Sequence, residues 1–174
     1  MVLKIKKGKY MKVAVIGAGL AGSECSWILA EHYNLEVTLF EMKSKKTTPA
    51  QITPHLFAEL VCSNSLKSKS RLNPAGTLKE EIHKLGSIVI PSARAAEVPA
   101  GETLAVDREL FSGAITEKLK NHKNITVKEM IIEQVDDILK FGEFSAIVIA
   151  TGPLTDDALA NDLRKITKCE QLYF

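Results

Sequence analysis

Lys12-Val13-Ala14-Val15-Ile16-Gly17-Ala18-Gly19-Leu20-Ala21-Gly22 (KVAVIGAGLAG) decides how this chain folds. Its first five residues are a β-branched run that stops at Gly17, the pattern of a parallel strand buried on both faces. The next six spell G-x-G-x-x-G. From about Leu20 the spacing turns helical, with Ala21, Cys25, Ile28 and Leu29 on one face and Ser23, Glu24 and Glu31 largely off it. Asn34 is a plausible stop, and Val37–Glu41 (VTLFE) is a second strand ending on an acid. Strand, turn, helix and strand occupy about thirty residues, the length of one βαβ unit.

That context gives the glycines a physical task. Gly17 permits a tight turn, Gly19 leaves the backbone bare for a pyrophosphate, and Gly22 lets helix and strand pack closely. Ala18, Leu20 and Ala21 complete the turn and the helix mouth, whose free N–H groups and partial positive charge suit phosphate. Glu41 stands nineteen residues beyond Gly22, at the neighbouring strand tip. A carboxylate there can accept both ribose hydroxyls and repels a 2′-phosphate, which disfavours NADP. A tight turn without ligand would use the same glycines. FAD and NAD also share this fingerprint, so a second signature is needed to separate them.

Residues 44–74 are rich in Ser, Thr, Pro, Asn and Lys, with an apolar island at Leu56–Cys62. They read as a long ordered excursion, because structureless loops of that length are rare unless functional. Thr77-Leu78-Lys79-Glu80 has capping-box spacing before a helix stripe of Leu78, Ile82 and Leu85 that ends at Gly86. Ile88–Ile90 is a strand candidate. Asp107 caps a helix whose inward stripe is Leu110, Phe111, Ala114, Ile115 and Leu119. Ile125–Lys128 and Ile131–Val135 read as short strands. Ala146–Ala150 (AIVIA) is another buried strand, closing on Thr151-Gly152-Pro153. An apolar strand ending in Ala150-Thr151-Gly152 resembles the second signature of two-dinucleotide-fold flavoproteins. With the glycine turn it favours FAD over NAD.

The chain has 174 residues, enough for one cored domain, with 23 Lys and Arg against 21 Asp and Glu. The net charge of +2 does not by itself argue for nucleic acid. Lys4, Lys6, Lys7, Lys9 and Lys12 crowd the start, and Lys43, Lys45, Lys46, Lys67, Lys69 and Arg71 follow; a solvated surface is the plain reading of both groups. The three cysteines, Cys25, Cys62 and Cys169, include no CxxC pair, which speaks against a disulfide framework or a metal site and for a reducing cytoplasm. No run reaches the ~18 apolar residues of a membrane span. Met1–Tyr10 is basic without the apolar core of a signal peptide, so residues 1–11 read as a disordered N-terminal extension, with Met11 a candidate start. Residues 12–174 read as the cofactor-binding domain, in a soluble cytoplasmic protein.

Phe57-Ala58-Glu59-Leu60-Val61-Cys62-Ser63-Asn64-Ser65-Leu66 is the most unusual stretch. Asn64 and Ser65 offer polar edges suited to a heteroaromatic ring. Cys62 beside them can move protons near neutrality if nearby positive charge lowers its pKa from ~8.5. From the residues alone, a buried structural cysteine is the plainer reading.

Here the resemblance becomes specific. VIGAGLAGSE (Val15–Glu24), LFEM (Leu39–Met42), TPA (Thr48–Ala50), FAELVCSNSL (Phe57–Leu66), LKEE (Leu78–Glu81), VPAG (Val98–Gly101), LAVDR (Leu104–Arg108) and ATGPLT (Ala150–Thr155) together resemble the folate- and FAD-dependent tRNA uracil-5 methyltransferases. The match runs in order from about Met11 to the end. The resemblance implies an α/β fold: an FAD-binding Rossmann-type parallel sheet carrying an irregular excursion. It also implies 5,10-methylenetetrahydrofolate as one-carbon donor, reduced FAD as carrier and reductant, NAD(P)H as external reductant, and 5-methyluridine in RNA as product. Transfer RNA is the default substrate and a ribosomal RNA uridine a close second. A cysteine in such enzymes attacks C6 of uracil. The resemblance makes Cys62 the general base for the C5 proton and places the nucleophile in a later part of the family's chain, which runs to more than twice this length. Cys25 and Cys169 match no cysteine motif of the family. The chain therefore reads as truncated, a fragment or half of a split gene, with an inactive flavin-binding remnant as the competing reading. A related flavoprotein that modifies the wobble uridine shares the glycine turn but lacks the Cys62 block.

Overall fold

The computed structural model describes residues 2–4 and 11–168. Its central sheet has five strands: β1 (Val2–Lys4), β2 (Lys12–Ile16), β3 (Glu36–Glu41), β7 (Ile125–Glu129) and β8 (Ala146–Ile149), in the order β1-β8-β2-β3-β7. β8, β2, β3 and β7 run parallel, and β1 is an antiparallel edge. Three residues of the segment expected to be disordered are thus a strand. The four parallel strands step outward from β2 through β3 to β7, then return to the opposite side of β2 with β8. That reversal puts a topological switch point between β2 and β8, where open α/β sheets bind ligands at their carboxyl ends. The α/β architecture read from the sequence is the one observed.

The sheet is covered on both faces. Val13, Val15, Val37 and Leu39 point into one core with Phe111, Ile115 and Leu119 of α4 (Arg108–Lys120). Ala14, Ile16, Phe40 and Ile147 point into a second core with Leu159 and Leu163 of α5 (Asp157–Thr167). This period-two division between two apolar layers is why the strands read as continuous apolar runs. α1 (Leu20–Trp27) follows β2 directly and continues as a π-turn over Ile28–His32. It packs through small residues: Ser23 and Ser26 are fully buried and Ala21 is exposed. Of the expected stripe, Cys25 and Leu29 pack half-buried against the first core and Ala21 is exposed, while Ser23, expected off that face, is inward. Ser23 is inward because its hydroxyl donates to the carbonyl of Ala18 at 3.1 Å. Asn34 ends the segment in the left-handed region, φ 50°.

Between β3 and β7 the chain makes the excursion and a three-stranded antiparallel sheet of β4 (Ser65–Ser68), β6 (Thr103–Val106) and β5 (Glu97–Val98), which the sequence did not announce. α2 (Pro74–Lys84) begins three residues before the expected capping box. Asn73 takes the N–H of Ala75 at 3.0 Å and Pro74 fills the first position, while the Thr77 hydroxyl is spent on the carbonyl of Arg71. Leu78 and Leu85, expected inward, are exposed. Ile88–Ile90 is not a strand. The Glu24 and Ser87 side chains take the amides of Val89 and Ile90, starting α3 (Val89–Ala95). Asp107 caps α4 as expected, accepting from Glu109 and Leu110 at 3.0 Å each, though Leu110 is exposed. Residues 131–134 are irregular and Val135–Phe141 forms a 3-10 helix, so the strand expected there is absent. Ile132 and Val135 are buried without sheet partners, with the Val135 amide held by Asp162 at 2.8 Å.

Candidate functional site

A cavity of about 300 Å³ opens at the carboxyl ends of β2, β3 and β8. Its wall includes Gly17, Ala18, Gly19, Leu20, Ala21, Glu41, Thr151 and Gly152. The three glycines there do different work. Gly17 adopts φ +97°, and a Cβ would come within 2.8 Å of the Ala150 carbonyl oxygen, so the tip of β8 closes over the turn. At Gly22 a Cβ would be driven into the carbonyl of Gly17, which holds α1 hard against the strand end. Gly19 differs from both. Its backbone is extended, φ −68° and ψ −171°, and a Cβ would meet nothing within 4 Å. No described neighbour excludes a side chain there, and the space in front of Gly19 is open.

That space faces a helix mouth. The first bond of α1 runs from the Ser23 amide to the Gly19 carbonyl at 2.9 Å, so the amides of Leu20, Ala21 and Gly22 precede the helical ladder. They offer N–H groups and a partial positive charge to an anion. The arrangement fits a dinucleotide pyrophosphate, with Gly19 as the position a side chain would block.

Glu41 is buried, and its carboxylate is already oriented. Oε2 accepts from the Ala18 amide at 2.6 Å and Oε1 from the Lys43 amide at 2.8 Å. A carboxylate has about four acceptor sites, so two remain for hydroxyls. On the far wall, Thr151 and Thr155 share a hydroxyl contact of 2.6 Å, and the Thr155 hydroxyl also donates to the Gly152 carbonyl at 2.7 Å.

Lys43, just before the excursion, and Gln51, Glu59 and Val61 within it form another part of the wall. Lys43 Nζ and Glu59 Oε2 form an ion pair of 2.8 Å, with side chains only 5% and 6% exposed. Burial pushes the Glu59 carboxyl up, but the Lys43 ammonium and the Ile52 amide outweigh it and hold the group below the usual carboxylate range. Asp156 closes the rim. It caps α5 through the Ala158 amide at 3.0 Å and pairs with Lys46, whose hydrogen bond lowers its pKa. Sequence reasoning singled out none of Lys43, Glu59 and Asp156 as site residues. The available signal was an acid inside the apolar island and a lysine two residues beyond the strand-end carboxylate.

Cys62, Asn64 and Ser65 are not in this wall. Cys62 is exposed, not the buried thiol that was the plainer reading, and follows Val61 at the cavity edge. Asn64 donates from its side chain to the Val106 carbonyl at 3.2 Å and borders a shallow open depression with Asp107 and Arg108. Ser65 begins β4. Cys25 is half-buried, and burial raises its pKa. Cys169 lies outside the described residues.

The family model described as "Glucose inhibited division protein A" matches residues 12–170, nearly the whole chain. The chain belongs to the glucose inhibited division protein A family. Among curated relatives, the methylenetetrahydrofolate–tRNA-(uracil-5-)-methyltransferase TrmFO of Desulforudis audaxviator is 48% identical over 162 residues, covering 93% of this chain and 35% of that protein. The TrmFO of Sulfurihydrogenibium sp. is 49% identical over 164 residues, covering 94% and 36%. That of Staphylococcus aureus strain JH9 is 52% identical over 162 residues, covering 93% and 35%. The chain thus spans about a third of the length of these relatives in the family. No helix among the described residues is long and apolar enough to cross a membrane.

Proposed function

We propose that residues 12–174 are the FAD-binding portion of a cytoplasmic flavoprotein that forms 5-methyluridine in transfer RNA, taking its one-carbon unit from 5,10-methylenetetrahydrofolate. The observation that carries the cofactor half is the open space at Gly19, before three amides that precede the helical ladder and beside the Glu41 carboxylate. The relatives' names, tRNA-(uracil-5-)-methyltransferase, support the reaction half. In this reading Gly17 to Gly22 cradle the pyrophosphate, Glu41 takes the adenosine ribose hydroxyls, and Thr151 and Gly152 line the cofactor's other side. FAD reduced by NAD(P)H would supply one-carbon carriage and reducing equivalents.

Cys62 is assigned the general-base role toward the uracil C5 proton, with Asn64 and Ser65 as polar contacts near the flavin ring. Its exposure at the cavity edge supports a group that meets substrate from solvent. The attacking thiol and the RNA-selecting surface belong to the two thirds of the relatives' length that this chain does not span. Titrating the purified chain with FAD, NAD and NADP tests the first half: FAD should bind with its fluorescence quenched, and preference for a nicotinamide nucleotide would defeat the proposal. In a chain extended to the relatives' length, Cys62→Ala should lose 5-methyluridine formation yet still trap a 5-fluorouridine RNA; loss of trapping with flavin retained would reassign Cys62 as the nucleophile. Running that assay on ribosomal RNA separates the two RNA substrates.

A further inference from the structure

We infer that Lys43 and Glu59 are positioning residues for the Glu41 carboxylate, and through it set the cavity's preference for a nucleotide with intact adenosine ribose hydroxyls. The inference rests on the flavin-binding reading of the same cavity. It comes from a closed circuit of hydrogen bonds around the wall. The Ala18 amide donates to Glu41 Oε2 at 2.6 Å, and the Lys43 amide donates to Glu41 Oε1 at 2.8 Å. Lys43 is held in turn by its ammonium on Glu59 Oε2 at 2.8 Å. Glu59 Oε1 takes the amides of Ile52 and Thr53 at 2.8 and 3.1 Å, which leaves neither oxygen idle. The residue before Glu59, Ala58, returns its amide to the Ala18 carbonyl at 2.8 Å, completing the loop at the glycine turn.

Two features argue that this circuit serves the ligand and not stability alone. Burying an ion pair costs desolvation that its attraction barely repays, and apolar replacements of such pairs are often neutral or stabilising. This pair lines the cavity. Ala58 also adopts φ 51° although it carries a side chain, and such strain persists where the surroundings impose it and clusters at binding sites. The circuit fixes both oxygens of Glu41 from outside, so the carboxylate meets the ribose without having to be ordered on binding.

The test compares FAD with its analogue lacking the adenosine 2′-hydroxyl, in fluorescence titrations of the 174-residue chain. Loss of one hydrogen bond to a charged acceptor should weaken binding roughly ten- to hundredfold in the unaltered protein. Lys43→Met should bring that ratio within about threefold of one, and Lys43→Arg should restore it. A structural role alone would weaken both ligands together and leave the ratio untouched. Because Lys43→Met strands a buried carboxylate, the double variant Lys43→Met/Glu59→Met carries the decisive arm. It should still fold cooperatively and still lose the discrimination. A retained ratio in the double variant, or its failure to fold, overturns the inference. A chain that takes up no FAD overturns the flavin reading beneath it, while FAD uptake with no ribose discrimination overturns this inference alone.

Discussion

Gly19→Val separates a fold-making glycine from a ligand-making one. The native backbone at Gly19 is in the extended region open to any residue, and an added Cβ meets nothing within 4 Å. The unliganded fold should therefore lose no more than about 1 kcal/mol, the scale of a weakened helix N-cap. The isopropyl group would stand before the amides of Leu20, Ala21 and Gly22. Denying a phosphate two charge-assisted hydrogen bonds there costs roughly 3–6 kcal/mol, or about a hundred- to ten-thousandfold in affinity. Gly22→Ala should do the reverse. Its methyl would be driven into the Gly17 carbonyl, a backbone group that cannot swing aside, with the Ala150 side chain also only 3.3 Å away. Overpacking of that kind costs about 1–3 kcal/mol, and each kcal/mol lowers Tm by about 2–4 °C in a chain of this size. Thermal unfolding without ligand and fluorescence titration with FAD read the two effects apart. A Gly19→Val protein that binds FAD within about threefold of the unaltered chain would refute the cradle. An unchanged Tm in Gly22→Ala would refute the close packing of helix on strand.

Glu59 and Asp156 both have carboxyls held below the usual range, so the stability they contribute is complete above the ordinary carboxylate pKa of ~4 and is lost as pH falls through the lowered folded value. Tm measured from pH 7 down to pH 3 should fall more gently in Lys43→Met/Glu59→Met than in the unaltered chain; identical slopes would contradict the coupling. In a Cys169→Ser background, a thiol reagent should label exposed Cys62 quickly at pH 7.5 and half-buried Cys25 much more slowly, since burial raises its pKa. Equal rates would mean that α1 does not shield Cys25.

Much of the βαβ core was legible because local and long-range demands agree there. Val13, Val15, Val37 and Leu39 face one apolar layer and Ala14, Ile16 and Phe40 the other, so the strands had to be apolar throughout. Gly17 and Gly22 announced themselves because backbone crowding permits nothing larger. The misses arose where tertiary partners replaced local patterns. Ile88–Ile90 has strand composition, but Glu24, sixty-five residues from Val89, caps it into a helix. Leu78 and Leu85 keep helical spacing yet face outward, and buried Lys79 is the residue that anchors α2, donating to the carbonyls of Ser68 and Ala75. On α1, Cys25 and Leu29 pack against the core as expected, but Ser23 and Ser26 are more deeply buried because close helix–strand packing selects small residues there. In the site, Glu41 could be read from its distance to the glycine turn. Lys43 and Glu59 could not, because they stand sixteen positions apart across irregular chain and only folding brings them into contact.

The most direct test is a crystal structure of the chain grown with FAD. The pyrophosphate should lie at the mouth of α1 against Gly19, with the adenosine ribose on the carboxylate of Glu41. Density for the flavin elsewhere, or a cradle filled by side chains while FAD remains in solution, would contradict it.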